Sequence, residues 1–267
     1  MMQHVHFYKY QGAGNDFIII DNRDGHFNVT DAKILNRLCD RRFGIGADGI
    51  MLLKESGKAD FEMDYYNADG RLGSLCGNGG RCIVAFAKRM GLIDSETAFL
   101  AADGIHQAQI SAEGNWVSLH MMNVGKVNRD EDAFVIDTGS PHFVKRVTDL
   151  ANLNVYEEGK KIRNSEPYRI KGINVNFVEE EADGYFVRTY ERGVEDETLA
   201  CGTGVTAVAL AMASYKKQEG SLSTPIRVAG GQLKVSFQKE KEIFSHIILE
   251  GPATFVFEGD IQLDAYS

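Results

Sequence analysis

The sequence predicts an α+β (α/β) fold of two pseudosymmetric halves, each a curled, mostly antiparallel β-sheet wrapped around a central helix. Three observations predict this fold. Apolar runs typical of strands recur along the chain, glycine-bearing turns join many of them, and one segment is repeated about half a chain later. The length of 267 residues allows one large domain or two of about 130 residues.

The strand-like runs are short and rich in β-branched and aromatic residues, as strands usually are. Several are followed by SAEGN, EADG or AGGQ, which are typical of hairpin turns. The runs are FIIID, FEMDYY, AFLAA, HQAQI, WVSLHM, AFVIDT, INVNFV, YFVRTY, IRVA, LKVSF, HIILEG and TFVFEG.

Three segments are predicted to be helical. The first covers residues 31–41, where Thr30 could provide the N-cap. The second follows Cys76 and the third follows Cys201, and each of these two closes with basic residues and then a glycine. The third helix is apolar almost all the way round, so we expect it to be buried on every face.

The repeated segment reads YYNADGRLGSLCGNGGRC in one place and TYERGVEDETLACGTGVTA in the other. Each copy has a strand ending in tyrosine, a polar loop, Cys-Gly-x-Gly and a helix. We therefore expect an N-terminal half at 1–120 with Cys76 and a C-terminal half at 121–251 with Cys201. Residues 252–267 are predicted to form a C-terminal strand that could return to the first half.

Charge and cysteine content exclude several classes of protein. The formal net charge of −9 argues against nucleic acid or an anionic membrane as a partner. The N-terminus lacks the apolar core of a secretory signal, and no apolar run approaches the roughly 18 residues of a membrane span. Four cysteines without a CxxC pair give no support for a zinc ribbon or a thioredoxin motif, and they favour a cytoplasmic protein with reduced thiols.

The two repeated cysteines stand where a helix begins. Backbone N–H groups at a helix N-terminus carry partial positive charge, which lowers the pKa of a cysteine there and attracts anions. The glycines that follow would leave the backbone accessible to a carboxylate: Gly77, Gly79, Gly80, Gly202 and Gly204. Two such halves facing each other would place a thiol on each side of one carbon, an arrangement that suits proton removal from one face and delivery to the other.

A buried, inert cysteine is the commoner alternative for any single thiol. It is preferred for Cys39 and Cys82, which lie inside helical patterns, whereas the duplicated context favours function for Cys76 and Cys201. The acidic run at residues 195–197 is most simply a solvated loop.

The chain resembles the diaminopimelate epimerase family over essentially its whole length. The order of the motifs is more specific than any one motif. They are GAGNDF at 12–17, RFGIGADG at 42–49, YNADG at 66–70, CGNGGRC at 76–82, GSPHFV at 139–144, NVNF at 174–177, and YERG with ACGTG within 190–204.

The resemblance implies conversion of LL- to meso-diaminopimelate for lysine and peptidoglycan precursor synthesis, without pyridoxal phosphate, another cofactor or a metal. It implies a cytoplasmic homodimer, an active site between the two halves, Cys76 and Cys201 as catalytic bases, and His142 and Glu191 as groups that tune them. The implied substrate contacts are Asn15, Asn67, Gly77, Asn78, Asn174, Glu191, Arg192, Gly202 and Thr203.

These residue types suit the implied substrate, which carries an amino acid group at each end. Arg192 can hold the distal carboxylate in a two-pronged way, and asparagine side chains offer both donors and acceptors to a zwitterion. N–H donors at the helix heads would stabilise charge as the α-proton leaves.

The sequence departs from the common family pattern in three places. Gly49 stands where many members have glutamine, and Ser140 stands where many have asparagine in a GNPH motif. The loop between Gly193 and Cys201 is one residue longer than usual.

Two alternatives remain open. One is another cofactor-independent racemase or isomerase of the same fold, such as a proline racemase, although that group has histidine where this chain has Asn78. The other is a non-catalytic amino acid binder or a thiol redox sensor. A redox sensor predicts a physiological disulfide between Cys76 and Cys201.

Overall fold

A computed structural model describes residues 4–73 and 76–263 of the chain. The chain divides into two compact units. Unit 1 contains Met1–Leu119 together with Pro252–Ser267, and unit 2 is His120–Gly251. Part of the expected C-terminal segment, from residue 264 onward, lies outside the described residues, as do positions 74 and 75 of the repeated segment.

The described residues of unit 1 form mainly strands, together with two α-helices. Its elements are β1 (His4–Gly12), β2 (Asn15–Asp21), α1 (Ala32–Cys39), β3 (Gly49–Lys54), β4 (Phe61–Asn67), α2 (Gly77–Arg89), β5 (Glu96–Ala101), β6 (Gly104–Ile110) and β7 (Trp116–His120). Strand β1 pairs antiparallel with β2, β2 parallel with β3, and β3 antiparallel with β4. After α2, β4 pairs parallel with β5, and β5, β6 and β7 continue antiparallel.

Unit 2 has its own set of strands and helices. Its elements are β8 (Asn128–Asp130), β9 (Ala133–Asp137), β10 (Pro141–Arg146), a 3₁₀ turn (Leu150–Asn152), α3 (Val155–Arg163), β11 (Asn174–Glu181), β12 (Gly184–Glu191), β13 (Asp196–Thr198), α4 (Gly202–Tyr215), β14 (Gly220–Val228), β15 (Gly231–Glu240) and β16 (Ile243–Pro252).

The pairing in unit 2 repeats that of unit 1. Strand β9 pairs antiparallel with β10, β10 parallel with β11, and β11 antiparallel with β12. After α4, β12 pairs parallel with β14, and β15 and β16 continue antiparallel. Helix α3 stands between β10 and β11 as α1 stands between β2 and β3, so the duplication extends to every large element. The predicted α+β class with two pseudosymmetric halves is confirmed.

Each unit is built around one helix. In α2 every residue from 77 to 87 is buried. In α4 the residues from 204 to 213 are all buried, as expected for a helix with valine, alanine, leucine and methionine on every side. Because a glycine-led buried helix begins at each repeated cysteine, the core of each unit fixes the position of that cysteine.

The last described strand is β17 (Thr254–Gln262), which pairs antiparallel with β1 in unit 1. Val5 and Phe7 on β1 and Ile261 on β17 are buried in one apolar cluster with residues of α1, β2 and β3. Strand β17 is thus part of the same core as β1.

The helix predictions were partly wrong. Helix α1 begins one residue later than a Thr30 cap requires, because Asp31 is the N-cap and its side chain accepts a hydrogen bond from Lys33 N. Helix α3 was missed because Gly159 and many charged residues interrupt its apolar pattern. Its N-cap is Asn154, and Gly159 is required there because a Cβ would come within 2.3 Å of Tyr190 Cβ.

Among the described residues, no helix combines the length and apolar character that crossing a membrane requires.

Candidate active site

The head of α2, residues 76–79, is the first part of the candidate site. Cys76 is the N-cap, with φ −95° and ψ 125°, and its thiol forms no capping bond within the described helix. Gly80 N donates the first intrahelical hydrogen bond, to Cys76 O at 2.7 Å. The N–H groups of residues 77–79 therefore point out of the helix end beside a half-buried cysteine.

A chain of hydrogen bonds fixes the amides beside this head. Asp48 Oδ2 can only accept, so it orients Asn15 with Nδ2 towards Asp48 at 2.6 Å. Asn15 Oδ1 then accepts from Asn78 Nδ2 at 2.6 Å. Asn78 Oδ1 in turn accepts from Arg81 Nη2 at 2.9 Å. The structure thus brings together Cys76, Asn78 and Asn15, with both amide orientations set by charged groups at the two ends of the chain.

Charged residues hold this chain in place. Arg41 Nη2 lies 2.8 Å from Asp48 Oδ1 and 2.5 Å from Asp16 Oδ1, and Lys9 Nζ lies 2.7 Å from Asp16 Oδ2. Burial alone would raise the pKa of Asp16, but hydrogen bonds from Arg41 and Lys9 outweigh it and lower the pKa to about 2. Asp16 is therefore a structural anion and not a proton carrier near neutral pH.

Arg81 is a completely buried cation under the same helix head. It donates to Gly77 O at 3.2 Å and to Pro252 O at 3.4 Å, besides Asn78. Burial lowers its pKa, and the thiols of Cys82 and Cys76 act in the opposite direction. A positive charge is therefore placed close enough to Cys76 to favour its thiolate.

The head of α4, residues 201–204, has the same backbone design. Cys201 is the N-cap, with φ −121° and ψ 110°, and Val205 N donates to Cys201 O at 2.9 Å. Cys201 is buried, with 7% of its surface exposed. Thr138 Oγ1 donates to Thr203 O at 2.9 Å, which ties the first turn of the helix to the end of β9.

The side chains around this second head are mostly uncharged. His142 is fully buried, and Asn176 Nδ2 lies 3.1 Å from its Nδ1. Its Nε2 lies 3.0 Å from Ser140 Oγ. Burial, helped by the charge of Arg192, lowers the pKa of His142 to about 3. His142 is therefore neutral at physiological pH, so it acts by hydrogen bonding and not as an imidazolium.

Asn174, Glu191 and Arg192 lie together at the ends of β11 and β12. Asn174 Oδ1 accepts from Arg192 N at 2.8 Å, and Glu191 Oε2 accepts from Thr198 Oγ1 at 2.9 Å. The Arg192 side chain is exposed and uses one N–H on Lys171 O at 3.3 Å. Most of its guanidinium donors are thus available to a ligand.

Asn67 is the last residue of β4, and its Nδ2 lies 3.4 Å from Arg71 O. No described contact joins Asn67 to Cys76 or to Asn15, so within the described part of unit 1 it stands apart from the hydrogen-bond chain. A Cβ on Gly73 would come within 2.9 Å of Asn67 Nδ2, which shows how closely the loop before Cys76 approaches it.

The contacts of Gly49 and Ser140 show how this chain accommodates two of its departures from the family pattern. A Cβ at Gly49 would lie 2.5 Å from the ring of Tyr65 and 2.6 Å from Tyr66 O, so no larger side chain fits there. Ser140 contacts His142, Asn174 and Thr203, so a hydroxyl stands at the centre of the polar group in unit 2.

Cys39 and Cys82 occupy buried positions, and burial raises the pKa of each thiol to about 12. Their geometry agrees with an inert role. The acidic run at 195–197 is not the simple solvated loop expected. Glu197 forms a two-pronged pair with Arg188, at 2.6 and 2.7 Å, and Glu195 accepts from Arg163 Nε at 3.3 Å.

Sequence reasoning missed three residues that hold the site together: Asp48, Arg81 and Asn176. Each lies inside a motif that the sequence displays, RFGIGADG, CGNGGRC and NVNF. For Arg81 and Asn176 the available signal was a polar residue within a segment predicted to be buried, because such a group must find hydrogen-bond partners. Asp48 is partly exposed, and the sequence offers no comparable signal for it.

Comparison with known proteins shows which family the chain is similar to. The sequence model of the family "Diaminopimelate epimerase" matches the chain twice, at residues 7–129 and 134–256. A diaminopimelate epimerase from Flavobacterium psychrophilum is 52% identical, over 95% of this chain and 99% of that protein. One from Chlorobaculum tepidum is 45% identical, over 94% of this chain and 99% of that protein.

Solved structures show the same fold at low sequence identity. A probable proline racemase from Agrobacterium radiobacter superposes with a TM-score of 0.74 at 16% identity, covering 98% of this chain and 96% of that one. A PhzF-family phenazine biosynthesis protein from Bacillus anthracis has a TM-score of 0.74 at 15% identity, covering 97% and 99%. Double coverage by the family model and identity above half to a full-length relative show that the chain belongs to the diaminopimelate epimerase family.

Proposed function

We propose that the protein inverts one α-carbon of diaminopimelate, converting the LL form to the meso form with two cysteines and no cofactor. In this role it supplies precursors of lysine and peptidoglycan. We also propose that it works as a cytoplasmic homodimer. The cytoplasm is a reducing compartment, which suits a reaction that needs two reduced thiols, and the dimer follows from the family resemblance.

One observation carries the proposal: each unit begins its buried central helix with a cysteine N-cap followed by glycines. A binder or a single-site thiol enzyme has no need of the second copy. Two copies supply two bases of the same type, which suits inversion of a carbon centre by proton removal from one face and delivery to the other.

The protons in the reaction balance, because one is removed from the α-carbon and one is delivered to it. The thiolate of one cysteine takes the α-proton from one face and becomes a thiol, while the other thiol gives its proton to the opposite face and becomes a thiolate. Exchange with solvent then resets both groups. Because the two cysteines exchange roles, the same site can run the reaction in both directions.

The helix heads provide the electrostatic part of the mechanism. The N–H groups of residues 77–79 and 202–204 are donors at the positive ends of helix dipoles. A substrate α-carboxylate that accepts from these groups gains negative charge as the proton leaves. Donors already in place lower the energy of that carbanion, a contribution of several kcal/mol in comparable sites.

The remaining residues are assigned to binding. Asn15 and Asn78 are held in fixed orientations beside Cys76 by hydrogen bonds to Asp48, to each other and to Arg81, so they offer the substrate a rigid polar surface. Arg192 has donors available for the distal carboxylate, supported by Glu191 and Asn174 next to it. Asn67 is assigned to the same distal end, on the strength of the family motif.

The test is a stereoinversion assay with LL- and meso-diaminopimelate under reducing conditions without added cofactor. Cys76→Ala and Cys201→Ala should each lower the rate by at least about 10³-fold, because each removes one proton-transfer group. Cys82→Ala is the matched control, since it deletes a buried thiol from the same helix as Cys76 and should keep inversion.

Wild-type protein that inverts proline or another amino acid, but not diaminopimelate, would transfer the assignment to a sister racemase. Undiminished inversion in either alanine variant would show that the wrong base has been named.

A further inference from the structure

Ser140 sits at a junction of hydrogen bonds close to Cys201. Its Oγ lies 3.0 Å from His142 Nε2, 3.1 Å from Asn174 Nδ2 and 3.3 Å from Thr203 Oγ1. Thr203 Oγ1 lies 3.6 Å from Cys201 Sγ. A serine hydroxyl has one proton to donate and two lone pairs to accept with, so the direction of each bond can be worked out from the neighbours.

The neighbours fix the orientation of the Asn174 amide. Its Oδ1 faces Arg192 N, at 2.8 Å, which can only donate. Its Nδ2 faces Pro141 O, at 3.2 Å, which can only accept. The second N–H on Nδ2 is therefore the group that points at Ser140 Oγ, and Asn174 donates to Ser140.

The same reasoning fixes the tautomer of His142. Asn176 Nδ2 donates to Phe143 O at 3.1 Å, and Asn176 Oδ1 accepts from Thr189 Oγ1 at 2.9 Å. Asn176 therefore presents its other N–H to His142 Nδ1, which must accept. The neutral ring then carries its proton on Nε2, so His142 also donates to Ser140.

With two donors on its oxygen, Ser140 has only its own proton left to share. That proton goes to Thr203 Oγ1, and the Thr203 proton is then directed at Cys201 Sγ. Each hydroxyl accepts one hydrogen bond and donates the next one along the chain, an arrangement in which successive bonds polarise one another.

We propose that Ser140 is a positioning residue that directs the Thr203 hydroxyl onto Cys201 Sγ and thereby stabilises the Cys201 thiolate. Its significance for catalysis rests on the proposed function, in which Cys201 alternates between thiol and thiolate. This arrangement of hydroxyl groups is found at the head of α4 in unit 2. At the head of α2 in unit 1, hydrogen-bonded asparagines and a buried arginine stand beside the cysteine instead.

The charged groups on the neighbouring elements include Arg188, Glu191 and Arg192. Arg188 on β12 pairs with Glu197 on β13, and Glu191 at the end of β12 accepts from Thr198. Burial, with a smaller contribution from the charge of Arg192, lowers the pKa of His142 to about 3, so the neutral ring keeps the tautomer that the hydrogen-bond chain needs. Besides Cys201, the hydrogen-bond chain contains one titratable group, His142 on β10. Its burial keeps it from taking up a proton near neutral pH.

The experiment measures the pKa of Cys201 in the intact protein without substrate. Reduced protein is alkylated with iodoacetamide over a range of pH, and the rate at each cysteine is read by mass spectrometry of its own peptide. Ser140→Ala should raise the pKa of Cys201 by about half a unit to one unit, and Thr203→Val by about one to two units, since a hydrogen bond to a charged acceptor has that effect. Ser140→Thr, which keeps a hydroxyl, should restore the wild-type value.

Two controls separate the proposal from a general disturbance. Thr206→Val removes a hydroxyl of α4 whose described hydrogen bond goes to Gly202 O, at 3.0 Å, and should leave the Cys201 pKa unchanged. The pKa of Cys76, measured in the same samples, should not follow that of Cys201.

A Cys201 pKa within about 0.2 units of wild type in both Ser140→Ala and Thr203→Val would overturn the proposal. Equal shifts at Cys76 would overturn it as well. Since no substrate is present, failure of the protein to turn over diaminopimelate would leave this result unaffected and would count only against the proposed function.

Discussion

Gly204→Ala, compared with Gly79→Ala, is the substitution pair that tests the geometry of the two helix heads most closely. The two glycines occupy the same position after Cys201 and Cys76. A Cβ on Gly204 would lie 2.4 Å from Asn176 Oδ1 and 3.2 Å from Cys201 Sγ, whereas a Cβ on Gly79 would meet Met51 Sδ at 3.3 Å and Cys76 Cβ at 3.6 Å.

The magnitudes follow from what must move. Alanine in place of a helical glycine stabilises by about 1 kcal/mol, and Gly79→Ala should keep most of that because a methionine side chain adapts easily. At Gly204 the obstacle is Asn176, a fully buried amide held by hydrogen bonds to three neighbours. Overpacking and a weakened buried hydrogen bond together cost about 3 kcal/mol, which leaves Gly204→Ala destabilised by about 2 kcal/mol.

Thermal unfolding and steady-state kinetics check both variants. In a chain of this size 2 kcal/mol lowers Tm by about 4–8 °C. Displacing Cys201 Sγ by a fraction of an ångström should lower kcat about 10- to 100-fold, because a misplacement of 1 Å can cost about 100-fold. Gly79→Ala should raise Tm by about 2–4 °C and stay within a few-fold in kcat. Equal losses in the two variants, or none in Gly204→Ala, would refute the packing described at the head of α4.

Three further predictions concern charge and redox state. Arg192→Lys should raise KM for diaminopimelate by about 10-fold while changing kcat little, as steady-state kinetics with both stereoisomers will show, because a point charge replaces a two-pronged donor. Air oxidation should form a disulfide between Cys76 and Cys201 that abolishes activity, and dithiothreitol should restore activity. Mass spectrometry will show whether the disulfide has formed. Full activity in the oxidised protein would rule out a pair of thiols acting on one carbon. Because the pKa of His142 is lowered to about 3 in the folded chain, the unfolded chain binds one more proton below about pH 6.5, so stability should fall by about 2 kcal/mol between pH 7 and pH 5 from this group. Urea titrations at the two pH values should show a smaller loss in His142→Asn, and an equal loss in the variant would contradict the assigned pKa.

The fold was predictable because the amino-acid sequence contains a recognisable internal duplication. The repeated Cys-Gly-x-Gly segment located α2 and α4, and the apolar surface of α4 predicted its complete burial. The family was identified from ordered motifs, and the comparisons confirm it.

Helix α3 shows where pattern reading alone was too weak. Gly159 and a series of charged residues hide its apolar face, and burial of that face against β11 and β12 is decided by tertiary packing. The duplication itself held the missing information, since a helix between β2 and β3 implies another between β10 and β11.

The candidate site was predictable as a set of residue types but not as a network. Asn174 was expected to bind substrate, which stays a prediction; the structure adds that its amide N–H groups donate to Pro141 O and Ser140 Oγ. His142 was expected to tune a cysteine, and the structure adds that burial lowers its pKa to about 3 and that its Nε2 lies 3.0 Å from Ser140 Oγ. Hydrogen-bond direction depends on which partner each amide faces, and the sequence does not contain that information. The roles of Cys76 and Cys201 remain predictions.

The most direct test of the central claim, that two thiols act on opposite faces of one carbon, is the isotope distribution at early conversion in D₂O. LL-diaminopimelate is converted by wild-type protein under reducing conditions, and both the meso product and the recovered substrate are analysed by mass spectrometry and NMR. The account predicts one deuterium at the inverted carbon of the product and almost none in the recovered substrate, because the proton removed by one thiolate stays on that side. Product that keeps its original hydrogen, or substrate labelled as fast as product, would contradict it.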